Sequence, residues 1–238
     1  GAVRAYRGAN GVTAVCSRYI ELAKVAGCCS RTEVFRLGCP LPKLATVSMK
    51  KSVLRFCYIG NLGKSYDLQT VMRGISALIS DGVGVTLDIA GDGPRRSEIE
   101  RYVRGGGQGI RLHGYIDQVK LVKLLGECDV GLVPMRSESW VAVPNKVTDY
   151  AAAGLAIING LEGETKSLLN EYGAGLDYRC GDVASFMRAV QRYADDRTLL
   201  ARHREGARRL AESVFDPDKI YPGMAVWLAN GVTRNVAE

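Results

Sequence analysis

The sequence predicts an α/β protein built on a doubly wound parallel sheet. From residue 53 onward, short apolar segments alternate with segments of helical spacing, an order typical of a parallel sheet with helices on both faces. Turns that contain glycine follow several of the apolar segments, at Gly60 and Gly91 for example. An apolar share of 47% is sufficient to build a core between these layers.

The predicted strands are short apolar segments that end in polar or glycine-containing turns. Their length and composition distinguish them from helices. Strands are predicted at residues 53–59, 83–90, 110–113, 129–133, 155–158 and 175–178.

The predicted helices lie between these strands and after the last of them. Residues 118–125 illustrate the signal, because apolar residues recur at 119, 121, 122, 124 and 125 and so share a helix face. Pro94 is placed to open one helix and Asp216 to cap the last. Helices are predicted at 68–79, 94–103, 118–125, 145–153, 162–171, 183–195, 197–213 and 217–229.

The first forty residues have a different organisation. We predict a strand at 12–15, a helix at 17–25 with Ser17 as its cap, and a strand at 33–37, followed by the turn signal of residues 38–42. Three elements cannot form a domain alone. Residues 1–45 are therefore predicted to be the end of an N-terminal domain and a linker, residues 46–213 the sheet domain, and residues 214–238 a helix that returns toward the N-terminal domain.

The net charge of +7 is concentrated in the arginine-rich residues 188–209. We interpret this stretch as a solvated helix face, with a patch for anionic lipid head groups as the alternative. Aromatic residues do not interleave with these arginines, so nucleic acid is not expected as a partner. No apolar run is long enough to span a membrane. We expect a cytoplasmic location, or peripheral contact with the inner face of the cell membrane.

Seven cysteines and two histidines are present, and no two cysteines have the CxxC spacing. This pattern argues against a zinc site. Cys57 and Cys128 lie in or beside apolar strands and are predicted to be small core residues. The chain is expected to be reduced, as cytosolic proteins are.

The most informative segment is Pro144-Asn145-Lys146 and the small-residue helix that follows it up to Gly154. The free N–H groups at the start of a helix, beside a lysine, form a good site for phosphate. Asp149, one turn later, is placed to meet a hydroxyl on the molecule that carries the phosphate. This arrangement suggests a sugar nucleotide as the ligand.

A second candidate loop runs from Tyr58 to Ser65, between a strand and a helix. Gly60 and Gly63 would let main-chain N–H groups approach a phosphate, and Lys64 would neutralise part of its charge. Gly63-Lys64-Ser65 resembles the end of a Walker-A loop, but Tyr58 stands where its first glycine is required. A tight strand–helix turn without a ligand is the alternative.

Three further loops follow predicted strands. The first is Gly91-Asp92-Gly93-Pro94, a turn, and the second is Gly114-Tyr115-Ile116. His113, just before the second loop, is interpreted as a packed or hydrogen-bonded residue and not as a catalyst. In a doubly wound sheet, ligands bind outside the carboxyl ends of the strands, where all these loops lie. The loop before Pro144 contains Glu138 and Trp140, which suit contact with a sugar, although a surface loop is the alternative.

An ordered series of motifs resembles the C-terminal domain of a retaining glycosyltransferase of the GT-B fold, glycosyltransferase family 4, of the bacterial surface-polysaccharide type. The series covers residues 58–63 (Tyr-Ile-Gly-Asn-Leu-Gly), 89–94 (Ile-Ala-Gly-Asp-Gly-Pro), 112–116 (Leu-His-Gly-Tyr-Ile), 128–134 (Cys-Asp-Val-Gly-Leu-Val-Pro) and 144–154. The resemblance extends over roughly residues 10–230. It implies a Rossmann-like domain that binds a nucleotide-diphosphate sugar, with UDP-sugar expected.

The resemblance also implies roles for individual residues. Lys146, with Pro144 and Asn145 at the helix start, would hold the donor diphosphate, and Asp149 would bind the ribose hydroxyls. The loop of Gly60, Asn61, Gly63 and Lys64 would face the diphosphate, and Tyr115 and Ile116 the nucleobase. We predict Lys146 and Glu138 as catalytic residues. The acceptor is expected to be a glycan or a lipid-linked acceptor.

The chain departs from the family pattern at several positions. Val141 stands where the first glutamate of the family's E-x7-E motif belongs, and Glu138 is out of register. Asn61 and Tyr66 occupy places where the family often has Arg and Lys. The Asp-x-Asp sequence of the chain, Asp216-Pro217-Asp218, lies after the last predicted strand, where Asp216 is placed to cap a helix. No metal or other cofactor is therefore expected.

Three other functions remain open from the sequence. The first is a phosphate-loop NTPase that uses Lys64 and Ser65. The second is a non-catalytic module, derived from a transferase, that serves a partner chain carrying the acceptor domain. The third and weakest is a nucleotide-sugar epimerase with the same two-domain plan. The missing first glutamate and the small share of N-terminal domain fit the second alternative.

Overall fold

A computed structural model describes residues 2–39, 52–136, 139 and 141–232. The described residues divide into two compact units. The first, called the terminal unit, contains residues 2–39 and 211–232, and the second, called the sheet unit, contains the described residues between 52 and 210.

The sheet unit contains the predicted parallel sheet. All pairings between its neighbouring strands are parallel, and the strand order β5-β4-β3-β6-β7-β8 makes it doubly wound, with β3 and β6 at the switch point. The α/β prediction is therefore confirmed. Its strands are β3 (Leu54–Ile59), β4 (Val85–Ala90), β5 (Ile110–Gly114), β6 (Val130–Val133), β7 (Ala156–Asn159) and β8 (Gly175–Asp177).

The helices of the sheet unit start and end within about three residues of the predicted positions. Pro94 does not open the second of them, which begins at Arg96 instead. The helices are α3 (Leu68–Ser80), α4 (Arg96–Arg104), α5 (Gln118–Glu127), α6 (Asn145–Ala152), α7 (Glu164–Tyr172), α8 (Val183–Asp195) and α9 (Arg197–Val214), whose last four residues belong to the terminal unit.

The core lies between one face of the sheet and helices α3 and α8. Phe56, Leu87 and Phe186 are fully buried there. Gly74 of α3 allows the close approach of α8, because a Cβ at this position would lie 2.5 Å from the Phe186 ring. On the opposite face, Cys57 and Cys128 are fully buried and free, as predicted.

The arginine-rich stretch does not form a uniformly solvated face. Arg204 is 3% exposed and donates from Nη1 to Asp129 Oδ1 at 3.2 Å and from Nε to the Gly154 oxygen at 3.1 Å. The interpretation of a solvated face is thus wrong for Arg204, whose ion pair joins α9 to the start of β6. Arg192, Arg202 and Arg209 are exposed as expected.

The terminal unit contains a two-stranded parallel sheet and three helices. Its elements are α1 (Ala2–Arg7), β1 (Gly11–Ala14), α2 (Ser17–Val25), β2 (Arg31–Val34) and α10 (Pro217–Val232). The sequence did not predict α1, and β2 lies two to three residues earlier than expected. Cys16, not Ser17, precedes α2 as its cap residue. Residues 40–42 of the predicted linker lie outside the described residues.

Helix α10 belongs to the terminal unit through its contacts with the N-terminal strands. The guanidinium of Arg31 lies 3.8 Å from the centre of the Trp227 ring and donates a hydrogen bond to the Trp227 carbonyl. Asp216 caps the helix as predicted, since its carboxylate accepts a hydrogen bond from the nitrogen of Asp218. Among the described residues, no helix is long and apolar enough to cross a membrane.

Candidate donor-binding site

A cavity of about 630 Å³ opens at the carboxyl ends of β3, β4, β5 and β6, a volume typical of small-molecule sites. Most of the residues predicted from the sequence line it together. They are Gly60, Asn61, Tyr115, Ile116, Pro144, Asn145, Lys146 and Asp149. The ends of these strands thus meet at one cavity.

The floor of the cavity consists of main chain bonded to main chain. Gly60 donates to the Ala90 oxygen at 2.9 Å, and Gly91 donates to the Gly114 oxygen at 2.7 Å. Gly91 has a φ of +148°, and a Cβ there would lie 1.8 Å from the Gly60 oxygen. Gly91 is therefore needed for the close contact between the Gly60 and Gly91 loops. This contact fixes the floor of the cavity without a ligand.

The N-terminus of α6 faces the cavity because Tyr150 anchors the helix to the sheet. Its buried hydroxyl accepts a hydrogen bond from the Ile59 nitrogen at 3.0 Å and donates toward the Leu132 oxygen at 3.2 Å. Gly131 leaves room for the ring, since a Cβ there would lie 2.3 Å from it. The first N–H groups of the helix, at Asn145 and Lys146, are consequently held at the cavity, where they suit an anion.

Lys146 is the buried cation of the cavity, with 6% of its surface exposed. Its Nζ lies 3.8 Å from the centre of the Tyr66 ring and 4.6 Å from that of Tyr58. Burial lowers the pKa of Lys146 to about 7, and the negative charge of Asp149 raises that pKa in part.

Two tyrosines that the sequence analysis did not assign to the site surround this amine. Tyr58 is fully buried and donates to the Asn61 oxygen at 2.5 Å. Its ring meets that of Tyr66 edge to face, with centres 5.6 Å apart. Tyr66 in turn forms an isolated antiparallel bridge with Met135, which also lines the cavity. The only signal in the sequence was aromatic character near a glycine turn.

The other side of the cavity is apolar. Tyr115, Ile116 and Leu121 line it from the β5–α5 segment, and Val141 and Val143 line it from the loop before α6. Tyr115 is 82% exposed, so the face of its ring is accessible to a planar ligand. Such a surface suits a nucleobase better than a diphosphate.

Two predicted residues lie elsewhere, and two others fall outside the described residues. Gly63 and Lys64 do not line the cavity, and Lys64 is exposed. The chain turns away after Asn61, because Tyr66 pairs with Met135 and Arg136 donates to the Ser65 oxygen at 3.1 Å. The expectation that Lys64 faces the site is therefore wrong for this geometry. Glu138 and Trp140 lie outside the described residues.

His113 is an exposed but hydrogen-bonded residue, which agrees with one of the two predicted alternatives. Its Nε2 lies 2.8 Å from Oδ1 of the buried Asp88, which Arg111 and Arg55 also contact. These hydrogen bonds and charges hold the pKa of Asp88 below its ordinary value despite its burial. Within the described ranges, no three histidine, cysteine or acidic side chains form a group that could hold a metal ion.

The family model for glycosyl transferases group 1 matches residues 53–196. The chain belongs to this family. The matched region spans the sheet from β3 to α8 and includes the cavity. Among curated proteins, none matches the sequence of this glycosyltransferase chain significantly.

Solved structures share the fold. Sucrose-phosphate synthase from Thermosynechococcus elongatus has a TM-score of 0.80 at 17% identity, over 98% of this chain and 61% of that one. HepE from Anabaena, solved in complex with UDP, has a TM-score of 0.78 at 15% identity, over 95% of this chain and 65% of that one.

A third structure covers a smaller part of this chain but more of its own length. The C-terminal domain of a glycosyl transferase group 1 protein from Francisella tularensis matches with a TM-score of 0.58 at 14% identity, over 69% of this chain and 87% of that one. The glycosyltransferase chain thus spans less than two thirds of the two longer structures, and its sheet unit has the Rossmann-like fold of GT-B enzymes.

Proposed function

We propose that the cavity binds the nucleotide of a UDP-sugar and that this chain carries the donor-binding half of a glycosyltransferase. The observation that carries the proposal is the position of Lys146. Its amine and the N-terminus of α6 face the same cavity, and both favour a diphosphate. HepE from Anabaena was solved in complex with UDP, which supports uracil as the base of the donor.

The two sides of the cavity suit the two ends of a nucleotide. The diphosphate would lie between the Gly60 turn and the start of α6, close to Lys146. The base would lie against Tyr115 and Ile116, and Asp149 would meet the ribose hydroxyls. As the sugar leaves, negative charge grows on the diphosphate, and fixed N–H groups together with a buried ammonium would stabilise that charge.

Calorimetry with UDP, GDP and their glucose and mannose conjugates tests the assignment. We expect binding of UDP and UDP-sugar by the folded chain. Lys146→Met should weaken the affinity by about 1.5–3 kcal/mol, as expected for a lost charged hydrogen bond. Lys64→Met is the matched control and should leave the affinity unchanged, because Lys64 lies outside the cavity. Absence of nucleotide binding by the wild-type chain would refute the proposal.

We further propose transfer with retention, without a metal ion, to a glycan or lipid-linked acceptor. Lys146 and the helix N-terminus supply positive charge in place of a metal, so EDTA should leave the affinity for UDP unchanged. Retention means that the product keeps the anomeric configuration of the donor. When water replaces the acceptor, the sugar released from an α-linked donor should therefore first appear as the α-anomer in proton NMR spectra. Initial release of the β-anomer would contradict this part.

We assign residues 1–45 and 214–238 to an acceptor-side domain, a division supported by the terminal unit, which joins residues 2–39 to 211–232. Peripheral membrane contact is proposed through the exposed Arg192, Arg202 and Arg209, which suit anionic head groups. Sedimentation with phosphatidylserine vesicles tests this contact, and recovery of the protein in the supernatant would refute it.

A further inference from the structure

We propose that Tyr66 is a positioning residue for donor binding, because the face of its ring holds the Lys146 amine against the Gly60 turn, ready to meet a diphosphate. The inference rests on the proposed function and adds a residue to it. It concerns how the amine is held before the ligand arrives, and therefore has consequences in the unliganded protein.

The first step is the geometry of the amine. Nζ lies 3.8 Å from the Tyr66 ring centre and 4.6 Å from that of Tyr58, well within the distance at which a ring face attracts a cation. A Cβ on Gly60 would lie 3.5 Å from Nζ. The amine is thus confined between two rings and a turn that has no side chain.

The second step concerns what holds Tyr66 itself. Its main chain pairs with Met135, and its carbonyl accepts a hydrogen bond from Arg95 Nη1 at 3.2 Å. The Tyr58 ring supports it from the side, at 5.6 Å between centres. Because main-chain contacts fix this residue, an exchange of its side chain leaves the loop anchored.

The third step is the charge balance around the amine. Among the residues that the structure describes, the charged or titratable groups that face it are Asp149 on its own helix, Tyr58 on β3, Tyr66 on the following loop and, across the cavity, Asp92. Asp92 is partly neutralised by Arg96, 3.2 Å away. Burial disfavours the ammonium and lowers its pKa to about 7, whereas the ring faces favour the ammonium.

These opposing effects predict different results for three substitutions of Tyr66. Phenylalanine keeps both the ring face and the burial, so the pKa of Lys146 should not change. Leucine keeps the burial without the ring face, so the pKa should fall. Alanine admits water, so the pKa should rise toward the ordinary value of lysine.

The experiment has one part without nucleotide and one with it. The first part is a pH titration of the Lys146 side chain by carbon-detected NMR in the wild type and the three variants, with Lys146→Met used to assign the signal. The second part is calorimetry with UDP at pH 8 in two buffers of different ionisation enthalpy, which counts the protons taken up on binding.

We expect the wild type and Tyr66→Phe to bind UDP equally and to take up most of one proton at pH 8, because the diphosphate favours the ammonium. Tyr66→Leu should bind about 3- to 30-fold more weakly, the range for a partly desolvated cation–ring contact. Near-native circular dichroism of each variant shows that folding is intact.

The outcomes separate the two proposals. If the wild type does not bind UDP, the proposed function fails, while the titration without nucleotide still tests whether the ring acts on Lys146. If Tyr66→Leu retains both the wild-type pKa of Lys146 and the wild-type affinity for UDP, the role of Tyr66 is refuted. A loss of affinity equal in Tyr66→Phe and Tyr66→Leu would also refute it, since the ring face would not matter.

Discussion

The hydroxyl of Tyr150 accepts a hydrogen bond from the main-chain nitrogen of Ile59 inside the core, at a distance of 3.0 Å. Ile59 is the last residue of β3, and Tyr150 lies in the middle of α6. This hydrogen bond joins the strand that leads into the Gly60 turn to the helix that presents Lys146. The buried hydroxyl therefore helps to set the spacing between the two halves of the candidate site.

Replacement of Tyr150 by phenylalanine should destabilise the fold by about 1–3 kcal/mol, because the buried Ile59 N–H loses its side-chain partner. Urea denaturation followed by circular dichroism measures this change. Tyr102→Phe is the control, since the Tyr102 hydroxyl contacts only the Ser76 hydroxyl at 3.1 Å in a half-buried place. If both variants lose the same stability, Tyr150 has no special role.

Replacement of Gly91 by alanine should reduce both stability and nucleotide affinity. The new Cβ would lie 1.8 Å from the Gly60 oxygen, so the β3 and β4 loops must separate. Gly106→Ala provides a matched control: its φ of +115° imposes backbone strain as well, but no atom lies within 4 Å of the Cβ position.

We expect the Gly106 variant to lose only the modest stability that positive φ costs a side chain and to keep its affinity for UDP. Thermal denaturation and calorimetry on both variants separate strain from steric contact. Equal behaviour of the two variants would contradict the assignment of Gly91 to loop contact.

Lys146→Met should stabilise the protein near neutral pH, and the gain should shrink as the pH rises. The ordinary pKa of a lysine side chain is 10.5, whereas the pKa of Lys146 in the folded protein is about 7. Between these values the unfolded chain binds more protons, so the wild type gains stability with rising pH, by at most about 1.4 kcal/mol per pH unit. Below pH 7 the cost of burying the charge is fully present.

Denaturation of both proteins at pH 6.5, 8 and 9.5 tests this linkage, because the titration of other groups cancels in the difference. A difference in stability that stays constant over this range would show that Lys146 keeps an ordinary pKa in the fold.

Arg204→Met should destabilise the protein by about 3–5 kcal/mol, since Asp129 would keep a buried charge without its ion pair. Arg209→Met is the control, because Arg209 is exposed and donates only to the Tyr172 oxygen at 3.1 Å. Chemical denaturation of the two variants gives the comparison. A loss for Arg204→Met no larger than for Arg209→Met would contradict a structural role of the pair.

The fold could be predicted because its signal is local. Each apolar strand and amphipathic helix can be recognised within about ten residues, and the parallel sheet follows from their alternation. The start of α6 at Asn145 was predicted to the residue, because proline and the polar residues before a small-residue helix mark a helix start. The order of the strands was not predicted, because doubly wound sheets occur in more than one strand order.

The parts of the site that were missed depend on contacts distant in sequence. Lys64 was expected beside the ligand because it follows two glycines, but the pairing of Tyr66 with Met135 turns this segment away. The contact between Tyr66 and Lys146 joins residues eighty positions apart, and no local pattern records it. The burial of Arg204 likewise requires Asp129, seventy-five positions earlier.

The bonded floor beneath the cavity has a consequence for redesign. Since the Gly60, Gly91 and Gly114 turns hold one another through backbone atoms, exchanges among the apolar side chains above them should alter which nucleotide is accepted and leave the platform in place. Libraries randomised at Ile116, Leu121 and Val141 would then sample base preference on a constant scaffold.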